Sequence, residues 1–287
     1  MAFTQYELNL ESQLPEEFKR IAAERGECEE TKTQNIEEFR QYILEHTDCK
    51  PHRIDDEYLI KFLRARFWKI SSSYRLVFNK ILIDKFREQN LSYYERVCPL
   101  DYKYIADSDI ISVTPYRDQH GHRILIYRFG NWKPDEISID VLFRVSVILL
   151  ELGSLEPISQ VVGGVGIYDL QNLTLSQIVH LSPSYAQKII ALLVTSMPIS
   201  TSALHIVNPN WTFKAVFKLF TPFLNAAMRE RLFIHSDMES LHNHISPEHL
   251  PKRYGGLREE HSPSRWFDNM RDNEHVQNEL QQLGYVF

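Results

Sequence analysis

Three small groups of residues carry side chains that could do chemistry. His242, His244 and His249 cluster near the C-terminal end. No cysteine joins them and no HExxH frame surrounds them, so their spacing predicts a solvated polar segment, not a metal site. Gly163-Gly164-Val165-Gly166 has the composition of a phosphate loop. Such a loop must follow a strand and open a helix whose N–H groups meet the phosphate. Here the glycines lead into the strand-like Ile167-Tyr168-Asp169-Leu170, and no Lys-Ser/Thr follows. Glycine in that setting marks a bulge or a close backbone approach. Asp169 could serve as a catalytic carboxylate, and equally as a helix N-cap or turn acceptor, which is the expectation here. There is no GxSxG elbow, and Cys28, Cys49 and Cys98 sit in no recognisable nucleophile setting. An α/β enzyme would rest on Asp169 and the glycines alone; no catalytic residue, metal or cofactor is expected.

The segment Asn208–Arg231 has a different character. Trp211, Phe213, Val216, Phe217, Phe220, Phe223 and Leu224 recur every three or four residues, forming one apolar stripe on a helix bent near Pro222. Lys214 and Lys218 lie on another face, and Arg229 and Arg231 follow. Two readings are open: an amphipathic helix packed on a core, or a lid whose aromatic face covers a cavity when closed and meets a bilayer when open.

The surrounding elements fall into two kinds. Up to about residue 95 the chain reads as helices. One lies between Pro15 and Gly26, another runs from near Gln34 to His46, and a third begins at Asp55-Asp56 with Tyr58, Leu59, Phe62 and Leu63 buried. Lys61, Arg64 and Arg66 are left to its other faces. A fourth carries Leu76, Val77, Ile81 and Phe86. From about Asp109, strands alternate with helices. Strands are expected at Ile110–Pro115, Arg123–Phe129, Val161–Leu170 and Leu204–Val207, with helices at Ile137–Leu152 and Ser184–Met197. That alternation predicts an α/β domain with a mixed, partly parallel sheet flanked by helices, preceded by an all-helical N-terminal subdomain. The expected division is 1–95 for the helical subdomain, 96–260 for the α/β domain and 261–287 for a helical tail. The two intervening helices are apolar nearly all round: either they are buried between layers, or their second face lines a cavity.

Composition narrows the class. In 287 residues, 43% are apolar and 24% charged, enough for a substantial core. The formal net charge of −6 excludes a protein that coats nucleic acid, and leaves contact with an anionic membrane to a local basic patch. The odd, unpaired cysteines predict reduced thiols. The N-terminus has no basic region of a signal peptide, and no apolar run approaches a membrane span. A cytoplasmic protein that associates transiently with membranes is expected.

Several ordered fragments together resemble the CRAL-TRIO lipid-binding family, from about Asp55 to Leu257. They are Phe62-Leu63-Arg64-Ala65-Arg66 with Tyr74-Arg75-Leu76, Ile124-Leu125-Ile126-Tyr127-Arg128, Phe143-Arg144-Val145-Ser146 and Ile167-Tyr168-Asp169-Leu170. Leu181-Ser182-Pro183-Ser184, His205-Ile206-Val207-Asn208 and Leu250-Pro251-Lys252-Arg253-Tyr254-Gly255-Gly256 complete the set. The likeness is greatest to the family's tocopherol- and retinaldehyde-binding members. It implies a monomeric carrier, not an enzyme, that encloses one hydrophobic lipid (a tocopherol, retinoid or other isoprenoid) between sheet and helices beneath a helical lid. The alternative is a lipid-responsive sensor or adaptor that binds phospholipid or phosphoinositide without bulk transfer. The positions implied for the cavity wall are Tyr127, Phe143, Ser146, Tyr168, Leu181, Ile189, Leu192, Leu193, Met197, Ile199 and Leu204, with Trp211, Phe213 and Phe217 from the lid. Ser146 is the retained cavity hydroxyl. Leu150 stands where the tocopherol-binding relatives have a second serine, Gly164 where they have isoleucine, and Leu173 where they have an aromatic residue. Of the family's basic, phosphoinositide-binding cleft, Arg66 and Arg231 are present, Ser200 and Ala227 replace two cations, and Arg229 is the expected compensation for membrane contact.

Overall fold

The computed structural model describes residues 8–45, 53–74, 96–191 and 197–287. The expected helix through Leu76 and Phe86 lies outside the described residues, as do Leu192 and Leu193. In the N-terminal part, α1 (Glu16–Glu24) starts after Pro15, α2 (Glu29–Glu45) buries Ile36, Phe39 and Ile43, and α3 (Asp56–Ala65) buries Tyr58, Leu59, Phe62 and Leu63. The Asp55 carboxylate accepts a hydrogen bond from Tyr58 N at 3.0 Å, satisfying one of the free amides of the first turn of α3.

Lys61 and Arg64, left to the other faces of α3, are buried as well. Arg64 forms a two-pronged bond to Glu27 (2.9 and 2.8 Å) and donates to Gln160 Oε1 at 2.8 Å; Lys61 lies 3.3 Å from Glu279. Buried charge is tolerable only when paired. Here the partners come from another N-terminal turn, the start of the sheet domain and the tail.

After α4 (Lys103–Asp107) come β1 (Ile111–Arg117), β2 (Arg123–Arg128), α5 (Ile139–Gly153), α6 (Pro157–Val162) and β3 (Gly164–Asp169). Next are α7 (Leu175–Ile178), α8 (Pro183–Ile189), β4 (Thr201–Val207), α9 (Phe213–Phe220), a 3-10 turn at Thr221–Phe223, α10 (Ala226–Glu230) and β5 (Leu232–Ile234). The sheet runs β1-β2-β3-β4-β5. The first pair is antiparallel and the others parallel. The register breaks between Val113 and Arg117, around Pro115, which cannot donate to the ladder and sits in an edge strand.

Two structural details differ from the sequence reading. Val161 and Val162 belong to α6, which ends at Gly163 with φ +90°; a Cβ there would lie 2.3 Å from Ser200 O. The expected tail helix is two helices, α12 (Arg265–Asp272) and α13 (Glu274–Gln281), divided at Asn273, whose side chain caps Val276 N. Between β5 and the tail lies α11 (Met238–His242).

Strand alternation sorts the sheet into two unlike faces. On one, Ile124, Ile126, Val165, Ile167 and Val207 pack solidly against Leu241, Ile245, Leu250 and Tyr254. Asp169, at the end of β3, accepts from Gln171 N, Asn208 Nδ2 and the Tyr254 hydroxyl, so it is a turn acceptor tying the C-terminal segment down. On the other face lie α5, α8 and α9, and a space remains beneath them. A single core runs from Phe39, Phe62 and Leu63 through α5 to Trp266 and Leu280, so the helical segments at both ends share the α/β domain's interior.

The packed face also holds imidazoles. His205 Nδ1 lies 2.9 Å from His235 Nε2, and the two rings stack with centroids 5.1 Å apart. The ring centroid of His244 lies 5.3 Å from that of His205 and 4.2 Å from that of Phe233. His242 meets the Tyr254 carbonyl at 2.8 Å and His249 is buried. The expected solvated segment is therefore partly interior, because the strands supply aromatic partners for it. Among the described residues no group of three His, Cys, Asp or Glu is placed to hold a metal.

Burial, then the neighbouring His235 and His244, pushes His205 down to about 3; Asp118 opposes this and His122 adds to it. A histidine with a depressed folded pKa stays neutral in the native state while the unfolded chain takes up a proton. Its stabilisation is therefore complete above the unfolded value of about 6.5 and declines as pH falls toward 3. One pH unit below the unfolded value, such a group costs about 1.4 kcal/mol. Thermal unfolding should show a lower midpoint at pH 5.0 than at 7.5, and His205→Phe should flatten that difference.

Candidate functional site

The space between sheet and helices is an apolar cavity of about 170 Å³. Its floor is formed by the strand residues Tyr127, Tyr168, Leu204, Ile206 and Leu232. Phe143 and Ser146 of α5, Ile189 at the end of α8, and Leu181 form the walls. Phe213, Val216, Phe217 and Phe220 close it from α9, with Leu224 beyond the 3-10 turn. The seven-residue α8 and the eight-residue α9 touch each other across the opening.

A second chamber of about 80 Å³ continues toward the N-terminal ends of the strands, lined by Leu125, Leu150, Gly164, Gly166, Ile199 and Trp266 among others. The two chambers share Tyr127, Tyr168 and Leu204, one residue from each of three adjacent strands. Tyr127 and Tyr168 are register partners whose rings stack at 5.0 Å with planes 2° apart, and Phe129 extends the stack at 5.6 Å from Tyr127. Gly166 makes room for this row: a Cβ there would meet Tyr168 Cε2 at 3.0 Å and Leu204 Cδ2 at 3.2 Å.

Polar groups in the main chamber are mostly occupied with one another. The Tyr127 hydroxyl donates to Ser146 Oγ at 2.9 Å, and Ser146 Oγ donates to the Leu142 carbonyl at 2.8 Å. Trp132 Nε1 donates to the Ile137 carbonyl at 2.7 Å. Burial pushes Tyr127 up to about 12, only partly offset by its Ser146 bond, and raises Tyr168, with Tyr127 adding to the rise. Both phenols are neutral, so the lining carries no charge.

Of the residues expected to form the site, Tyr127, Phe143, Ser146, Tyr168, Leu181, Ile189, Leu204, Phe213 and Phe217 meet around the main chamber. Leu150, Gly164 and Ile199 line the second. Met197 is buried in the core and lines neither chamber. Trp211 is 73% exposed and points away from the cavity. The chain before it is held by Asn210, whose amide donates to the Leu170 and Leu173 carbonyls. Ile206, Val216, Phe220, Leu224 and Leu232 were not expected as lining. Ile206 follows from β4 alternation and Val216, Phe220 and Leu224 from the aromatic stripe, whereas Leu232 lies on a three-residue strand too short for a pattern.

Three arginines come together beyond Ser200 and Thr201, which line the second chamber. Arg66 and Arg231 are close enough that the charge of Arg231, after burial, lowers Arg66; Arg25 is lowered by the same two causes. Arg231 donates to the Thr201 carbonyl at 3.0 Å, Ser200 Oγ to Ala65 O at 3.3 Å, and Arg25 bonds the Val161 carbonyl with its guanidinium carbon 5.3 Å from the Phe67 ring centroid. The third cation beside Arg66 and Arg231 is thus Arg25. Arg229, expected to supply it, is committed elsewhere: its Nε donates to the Leu224 carbonyl at 3.1 Å and its Nη2 to the Thr221 carbonyl at 3.2 Å.

Residues 107–256 match the family model described as the CRAL/TRIO domain. Clavesin-2 of Rattus norvegicus is 29% identical over 264 residues, covering 91% of this chain and 80% of that protein. Alpha-tocopherol transfer protein-like of Mus musculus is 30% identical over 238 residues, covering 83% of this chain and 68% of that protein. The solved structure of Sfh5 superposes with a TM-score of 0.49 at 16% identity, covering 85% of this chain and 96% of that one.

The Arg229 bonds hold the carbonyls that follow α9, so Arg229→Ala should loosen the cavity's roof locally. Hydrogen exchange over residues 213–224 is expected to quicken roughly fivefold, as for the loss of about 1 kcal/mol at an exposed site, with little change in the global melting midpoint. Equal acceleration across the whole chain would show the effect to be global.

Proposed function

This chain belongs to the CRAL/TRIO family, and from that premise we propose that it carries one hydrophobic lipid in the enclosed cavity and exchanges it with membranes through movement of α9. The observation that carries the reading is the cavity itself, an uncharged apolar void closed by a helix whose own aromatic stripe is the roof. Small-molecule sites have this character: mostly apolar lining and few polar groups. Family membership and the relatives support lipid binding or transfer in general, and one relative's name points to tocopherol. A tocopherol, retinoid or other isoprenoid is the proposed ligand class, with Tyr127, Phe143, Tyr168, Leu181, Ile189, Leu204, Phe213 and Phe217 as its contacts.

The energetics favour occupancy. At about 24 cal/mol per Å³, an empty cavity of this size forfeits on the order of 4 kcal/mol of packing, which a bound lipid recovers. Each buried CH₂ contributes about 0.8 kcal/mol before ordering costs.

Membrane contact is proposed for the exposed apolar residues beside the roof. These are Trp211 (73% exposed), whose neighbour Asn210 is bonded to the turn that precedes α7, and Leu175 (49%) and Val179 (76%) of and just after α7. Arg25, Arg66 and Arg231 would add attraction to an anionic surface, at about 1 kcal/mol per cation near the membrane.

Native mass spectrometry after incubation with vesicles containing tocopherol, retinoids and phospholipid should show a single adduct, and the loaded protein should melt at higher temperature than the bare chain. No adduct of any class would reject the carrier reading. Arg66→Ala with Arg231→Ala should slow ligand transfer to anionic vesicles at low salt by at least fivefold, and the difference should shrink as salt rises. Equal rates at low salt would remove the basic cleft from the mechanism.

A further inference from the structure

The row that divides the cavity contains one polar atom without a partner. The Tyr127 hydroxyl is used on Ser146, the Ser146 proton on Leu142, and the Trp132 N–H on Ile137. The Tyr168 hydroxyl makes no hydrogen bond among the described residues. Tyr168 is half-buried and lines both chambers. A hydroxyl facing an apolar chamber without a partner is available to bond a ligand oxygen there.

The position of this hydroxyl is unusual for a lipid site. Along β2 the lining passes from Arg123 and Leu125 in the small chamber, through the shared Tyr127, to Phe129 in the large one. Along β3 it passes from Gly164 and Gly166, through Tyr168, to Leu170, and along β4 from Thr201, through Leu204, to Ile206. Tyr168 therefore stands at the waist between two apolar spaces, the smaller about half the volume of the larger.

Building on the carrier reading, we propose that Tyr168 is the specificity-determining donor of the site. Its ligand is a lipid with a hydrogen-bond-accepting oxygen inside the molecule, flanked by a shorter apolar portion in the small chamber and a longer one beneath α9. Ser146, the other cavity hydroxyl, has its single proton already committed to the Leu142 carbonyl. Gly166 belongs to the same device, since a side chain there would push against the Tyr168 ring and the Leu204 side chain.

Three probes separate the possibilities: eicosane, 1-eicosanol and 7-eicosanol, delivered from cyclodextrin and scored by competition in native mass spectrometry. The full chain should prefer 7-eicosanol to eicosane by about tenfold, the effect expected of one neutral hydrogen bond in a dry site, with 1-eicosanol between them. Tyr168→Phe keeps the stacked ring and should abolish the preference for 7-eicosanol while binding eicosane at least as well. Retained eicosane binding shows that the variant is folded and its cavity intact. Equal binding of all three probes by the unmodified chain overturns the proposal but leaves the carrier reading standing. The same holds for a preference for the terminal alcohol that survives Tyr168→Phe, which would move the oxygen to the Thr201 end. Failure to bind any probe rejects the carrier reading and this proposal with it.

Discussion

Glu156 is fully buried, and the frame around the cavity is organised on it. Its carboxylate lies 2.9 Å from Arg117 of β1 and 2.6 Å from Arg123 of β2, and accepts from Ser159 Oγ and Asn9 N. Burial alone would raise its pKa; the two guanidiniums outweigh that and hold it below the usual carboxylate range. A buried pair of this kind adds little net stability compared with an apolar replacement, yet losing one partner costs about 3–5 kcal/mol. Its value lies in position. An apolar void supplies no packing energy, so the walls need fixing from outside it. Glu156 fixes the first two strands, the start of α6 and the N-terminal segment at the narrow end of the cavity, where Arg123 is itself part of the wall.

The constraint divides the molecule into a rigid end and a lightly held one. At the rigid end, buried ion pairs recur: Arg64 with Glu27, and Arg53 and Lys61 with Glu279. At the other end, the elements over the large chamber are short, and α9 has no buried residue.

Much of the architecture was readable from periodicity. Ile124/Ile126 and Val165/Ile167 alternate with cavity residues along their strands, and the apolar girdle of α5 has a cavity on one side and core on the other. What escaped reading depended on partners distant in sequence. Lys61 and Arg64 resemble solvent-facing residues until Glu279 and Glu27 are placed beside them. Arg25 becomes part of the basic cleft only when α1 is folded against α6. β5 has three residues, too few to show alternation, and α6 is a turn and a half whose last residues, Val161 and Val162, run into the apolar pattern of the strand after it. Ser146 could be named as a cavity hydroxyl, but its bonding to Tyr127 and Leu142 is a property of register and helix rotation. The division into two chambers is likewise invisible in one dimension: Tyr127, Tyr168 and Leu204 come together only because three strands align.

The attachment of α9 limits how it can move. Asn210 bonds it to the Leu170 and Leu173 carbonyls at one end, and at the other Arg229 gathers the Thr221 and Leu224 carbonyls beside β5, which is laced into the sheet. A rod fastened at both ends cannot swing outward like a door without breaking one fastening. The displacement left to it is rolling about its long axis, which would carry Phe213 and Phe217 outward together while the ends stay in place. On the carrier reading proposed above, such a bearing would let hydrophobic surface turn from the interior toward a bilayer without passing through a wide-open state, and would couple the emptying of the cavity to the angle of a single helix.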